Sequence, residues 1–140
     1  MMRQAMTELS ITTRGRGFYE FTDRIAGWVS EQEFRAGLLT IHLRHTSASL
    51  VIQENADPDV RRDLEAFMER LVPDGDPLFV HTAEGEDDMP AHVRAALTAV
   101  TLNLPVVAGR PALGTWQGLY LWEHRRARHD RHLTVHFIGE

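Results

Sequence analysis

His45, His81 and His92 are the residues of this sequence whose type and setting could hold a metal ion. His45 ends an apolar run and opens His45-Thr46-Ser47-Ala48-Ser49, where small hydroxylated side chains leave room beside an imidazole. His81 opens into Thr82-Ala83-Glu84, and His92 falls in the first turn of a helix entered through Asp87-Asp88-Met89-Pro90. Three imidazoles at the ends of rigid elements, beside a carboxylate loop, are the parts of an open, catalytic-type metal site. A ligating imidazole also needs an oxygen on its other nitrogen, and Glu84, Asp87, Asp88 and Glu123 are candidates. The spacing matches no local metal motif, so three separate structural histidines form the competing reading. His42, His124, His129, His132 and His136 read as polar-face, solvated or edge residues.

Two further segments carry chemistry-bearing groups. Asp87 and Asp88 could complement the positive end of the following helix, whereas Glu84 lies too early for that and is freer to act as a base. Gly109 to Gly118 is glycine-rich enough to let a ligand approach backbone N–H groups. Beyond it Gln117, Glu123 and Arg125 share strand parity, with Leu119 and Leu121 between them. The same stretch also fits a hairpin whose Trp116 packs in a core.

Composition narrows the chemistry. There is no cysteine, which removes disulfides, thiolate zinc sites and cysteine nucleophiles. All 15 basic residues are arginine, which removes Schiff-base chemistry and a P-loop lysine. The net charge of −5 argues against nucleic acid as a partner. No membrane span and no apolar leader core are evident, so a cytoplasmic location is expected.

The elements that must position these groups follow from periodicity. Strands are expected over Glu8–Arg14, Leu38–Arg44, Ser49–Gln53, Leu78–Val80 (delivering His81), Leu104–Ala108, Trp116–Glu123 and Leu133–Ile138, the last two near a C-terminal hairpin. Helices start at Thr22-Asp23, ending by Gly37, at Asp57-Pro58 and at Met89-Pro90. Helices interleaved with strand pairs favour one α+β domain over residues 1–140, mostly antiparallel, with about three helices.

Four motifs in series carry a family resemblance: His45-Thr46-Ser47-Ala48; Glu54-Asn55-Ala56-Asp57-Pro58-Asp59-Val60; His81-Thr82 through His92; and Gly114-Thr115-Trp116-Gln117-Gly118 with Glu123-His124-Arg125. In this order they resemble the YjbQ-like family, described as secondary thiamine-phosphate synthase enzymes. The resemblance implies a compact α+β fold, a homotrimer with pockets near subunit contacts, and metal ligation by His45, His81 and His92. Asn55, Asp57, Gly114 and Thr115 match motif positions and are expected to bind substrate, and Glu84, Gln117, Glu123 and Arg125 to take part in catalysis. Arg126 to His132 departs from the family pattern. The implied function is metal-dependent action on a small phosphorylated molecule, such as joining a pyrimidine diphosphate to a thiazole phosphate. Metal-assisted hydrolysis and a non-catalytic metal- or ligand-binding trimer are the alternatives. An imidazole-rich set favours zinc over magnesium.

Overall fold

The computed structural model describes all 140 residues, Met1–Glu140. In chain order the elements are β1 (Arg3–Thr13), β2 (Gly17–Glu20), α1 (Thr22–Glu31), β3 (Ala36–Leu43), β4 (Ala48–Glu54), α2 (Pro58–Leu71), α3 (Asp88–Leu97), β5 (Thr101–Val107), β6 (Arg110–Pro111), β7 (Gln117–Glu123) and β8 (His129–Gly139). A five-stranded sheet runs β1-β8-β3-β5-β6 and a three-stranded one β2-β7-β4. Every pairing is antiparallel. The expected α+β class with three helices is therefore the observed one.

Period-two patterning builds the larger sheet. On β3, Leu39, Ile41 and Leu43 point inward, opposite Phe137, Val135 and Leu133 of β8. With Leu104 and Val106 of β5, Leu50 of β4, Leu119 and Leu121 of β7 and Ile25 and Val29 of α1, they form one contiguous core that joins both sheets. Strand β7 is buried along both faces. Leu119 and Leu121 enter that core, while Tyr120 and Trp122 face α2, where Arg61 lies over the Tyr120 ring and Glu65 accepts the Trp122 indole N–H. This is why β7 reads as an apolar run rather than an alternating one.

Several local expectations need correction. Leu78–Val80 forms no strand, so His81 is held in the loop between α2 and α3. Strands β7 and β8 are no hairpin, for they lie in different sheets and β8 pairs with β1 and β3. Gly37 does not end α1, which closes through Gln32 and Glu33, the latter at φ 58°. Instead Gly37 sits in β3 opposite Gly139, where any Cβ would collide with the Ile138 carbonyl. Asp57 does cap α2, accepting the Asp59 N–H at 2.9 Å.

Candidate metal centre

Helix α3 begins with two aspartates that face away from a capping role: Asp87, at the N-cap, makes no side-chain cap bond. Both carboxylates instead meet Arg125, just past β7. Its Nε donates to Asp87 Oδ2 at 3.0 Å, its Nη1 to Asp88 Oδ1 at 2.8 Å, and its Nη2 to the Glu84 carbonyl at 3.0 Å. One guanidinium thus pins the acidic loop to the start of α3, a planar fork used on two carboxylates at once. The Arg126 N–H adds a second bond to Asp87 Oδ2, at 2.9 Å. Burial would raise the Asp87 pKa, but that N–H and the Arg125 charge prevail and bring it down to about 2.

Asp88 is 1% exposed, and its Oδ2 faces two imidazoles. His81 Nε2 lies 2.9 Å away and His92 Nε2 3.2 Å away, His92 being four residues along the same helix face. The candidate ligand atoms of His81, Asp88 and His92 all lie within 4.8 Å of one another. The tautomer of His92 is fixed by geometry. Its Nδ1 is 2.9 Å from the Thr46 carbonyl oxygen, which can only accept, so Nδ1 carries the proton. In neutral His92 the Nε2 lone pair then points at a carboxylate oxygen. A proton or a metal ion can sit between them, and a carbonyl on the remote nitrogen is the usual support of a ligating imidazole. Two imidazoles and a carboxylate suit zinc-type ions better than magnesium. Burial pushes Asp88 upward, but His81, His92 and Arg125 together hold its carboxyl below the usual range.

The sequence expectation is therefore redrawn. His81 and His92 come together, and Asp88 is the third member of their group in place of His45. His45 Nε2 is occupied by the His132 backbone N–H at 2.9 Å, and its ring stacks on that of His132. It does share with His92, Thr46 and Val100 the lining of an adjoining cavity of ≈ 520 Å³. Burial, then the nearby Arg131 and His132, lower its pKa.

Glu123 is fully buried and cannot meet substrate. Its Oε1 accepts Thr13 Oγ1 at 2.7 Å and Arg131 Nε at 2.8 Å, while Oε2 accepts Arg131 Nη2 and the N–H groups of His124 and Arg125. It is the buried anchor of the backbone from which Arg125 reaches out. Gln117 is at the opposite end of β7, its Oε1 accepting the Gly114 N–H at 2.8 Å. Six residues of strand, at roughly 3.3 Å each, put it ~20 Å from Glu123. Asn55, Asp57, Gly114 and Thr115 cluster at that far end, as Asn55 pairs its N–H with the Trp116 carbonyl. Within one chain the motif residues thus form two groups. Glu84 alone of the expected catalytic residues stays exposed beside the His81–Asp88–His92 group. A signal for Asp88 was available: Asp88 and His92 stand at i and i+4 on one helix.

A second feature adjoins His81. A cavity of ≈ 270 Å³ is lined by His81, Asp76, Phe79, Thr82, Glu86 and Met89, among others. Two carboxylates and no guanidinium border it.

A two-sheet antiparallel α+β domain with a two-histidine, one-aspartate group is the class these features define. The family model described as "UPF0047 protein YjbQ-like" matches residues 7–140, and the chain belongs to that family. It is 49% identical to a UPF0047 protein of Synechocystis, over 99% of this chain and 94% of the relative. It is 42% identical to the UPF0047 protein YjbQ of Escherichia coli O157:H7, over 94% and 96% of the two chains. A crystal structure of a YjbQ/UPF0047 family protein from Clostridium acetobutylicum, 30% identical, superposes with a TM-score of 0.85 over 94% of this chain and 98% of that one. A Sulfolobus solfataricus protein of unknown function, 22% identical, shares the fold at a TM-score of 0.90 over the full length of both.

Proposed function

We propose that the chain is a metal-dependent hydrolase of a small molecule, with His81, Asp88 and His92 holding a divalent ion, zinc in preference to magnesium. The observation that supports this most is the His92 ring, whose protonated Nδ1 leaves Nε2 to face Asp88 Oδ2. When bound, such an ion supplies Lewis acidity at neutral pH. Glu84, exposed at the rim and tethered through its own carbonyl to Arg125, is the group placed to take a proton from water. The cavity beside His81 receives the substrate. Its Asp76 and Glu86 disfavour a diphosphate, and Arg125, the guanidinium expected to grip one, has all three of its nitrogens engaged. A neutral substrate suits this lining better than the phosphorylated one implied by the resemblance.

The test is zinc-loaded protein against panels of esters, amides and phosphate monoesters, with thiamine-phosphate formation from its two precursors as a parallel arm. Turnover of a neutral ester or amide is expected, and Glu84→Gln should lower kcat about 10²- to 10⁴-fold while zinc is retained. No turnover on any arm ends the enzyme reading, and turnover on the synthase arm alone ends the hydrolase reading.

We also propose a homotrimer, associating through the outer face of the five-stranded sheet, where Met6, Leu38 and Ile138 are exposed. Light scattering should give three times the chain mass of 15.9 kDa.

A further inference from the structure

The largest open space in the molecule is nowhere near the imidazoles. A cavity of ≈ 690 Å³ opens between the end of α1 and the β5–β6 hairpin, lined by Ser30, Glu33, Phe34, Arg35, Arg110 and Leu113, with Ala108 and Gly109 at its edge. It sits at the Ala36 end of β3, whereas His45 follows the Leu43 end. Eight residues of strand separate the two by ~20 Å or more. Its volume is within the roughly 300–1,000 Å³ of small-molecule sites.

The lining is chemically pointed. Arg35 and Arg110 both line it, Arg35 from the α1–β3 turn and Arg110 from β6. Neither forms an ion pair or a side-chain hydrogen bond, so both guanidinium groups are free to meet a ligand, whereas Arg16, Arg94, Arg125 and Arg131 are held by carboxylates. Arg3 adds a third positive charge nearby, its guanidinium 4.1 Å from the centre of the Phe34 ring. Phe34, Leu113 and Pro111 supply apolar wall. Glu33 is the single carboxylate, at the lip, able to accept a hydrogen bond from a ligand hydroxyl or amine. The two non-glycine residues with positive φ, Glu33 at 58° and Ala108 at 51°, both line it.

We infer that this cavity is a second ligand site, for a small organic anion whose phosphate or carboxylate bridges Arg35 and Arg110 while its apolar body rests on Pro111 and Leu113. Guanidinium forks recognise such an anion bidentately. The site does not depend on the metal reading.

Phenyl phosphate, benzoate and uncharged benzyl alcohol are the probes, followed by backbone amide NMR titration. Saturable shifts are expected at Phe34, Arg35, Gly109 and Leu113 with one or both anions, and none with benzyl alcohol. The tighter anion assigns the headgroup as phosphate or carboxylate. Arg35→Gln and Arg110→Gln should each weaken binding about tenfold, and Asp88→Asn should leave it unchanged. Both arginines are exposed, so the fold should survive. If it does not, the wild-type protein still decides, because affinity at this site must fall as salt is added. Shifts scattered over the surface, equal affinity in the variants, loss of binding in Asp88→Asn, or no salt dependence would overturn the assignment.

Discussion

Replacing Asp88 by asparagine is expected to lower zinc affinity at least about a hundredfold, measured by competition with a chromophoric chelator. The substitution removes the ligand charge and leaves two neutral imidazoles, too few for a tight structural or catalytic site. Asp87→Asn is the informative neighbour. Asp87 touches Arg125 and the Arg126 N–H but no imidazole, so it acts by orienting Asp88 and should cost only about ten- to a hundredfold. His45→Ala separates the structure from the sequence expectation most sharply. Its Nε2 holds a backbone N–H, so zinc binding should stay within about tenfold of wild type. Unchanged affinity in Asp88→Asn, or its loss in His45→Ala, would sink the proposed ligand set.

What the sequence disclosed, and what it hid, follows from how far apart the interacting residues lie. The alternation Leu39-Ile41-Leu43 and Leu133-Val135-Phe137 placed β3 and β8 with their correct inward faces, because a half-buried strand writes its orientation locally. Pro58 and Pro90 marked α2 and α3 for the same reason. Strand β7 hid its role, since burial on two faces erases the period. Its end residue Glu123 therefore looked accessible when it is the buried partner of Arg131. The structure brings His81 and His92 together around one carboxylate and leaves His45 apart from them. Asp88 reads in the sequence as a support or a cap, and nothing in its neighbours reveals that Arg125, 37 residues on, takes its other oxygen. Arg35 and Arg110 converge only because β3 and β5 are hydrogen-bonded neighbours, a long-range pairing that no local pattern encodes.

The second large effect is expected from pH acting on His124. This imidazole is fully buried at the end of β7, with Nε2 2.8 Å from Ser49 Oγ and Nδ1 without a partner. Burial, then the positive charge of Arg94, lowers its pKa to about 3. In the unfolded chain the same ring titrates near about 6.5. The unfolded state therefore binds a proton that the native state refuses, and stability contributed above that value is lost progressively as pH falls through this window. Between pH 6.5 and pH 4 the loss from His124 alone is about 3 kcal/mol, at ~1.4 kcal/mol per unit. For a domain of this size, that amounts to a drop in Tm on the order of 10 °C. Chemical denaturation at the two pH values measures it, and His124→Gln, whose amide can still reach Ser49, should flatten the slope. An imidazole resonance of His124 that titrates near 6.5 in the folded protein would show that the ring is hydrated, and the predicted acid sensitivity would go with it.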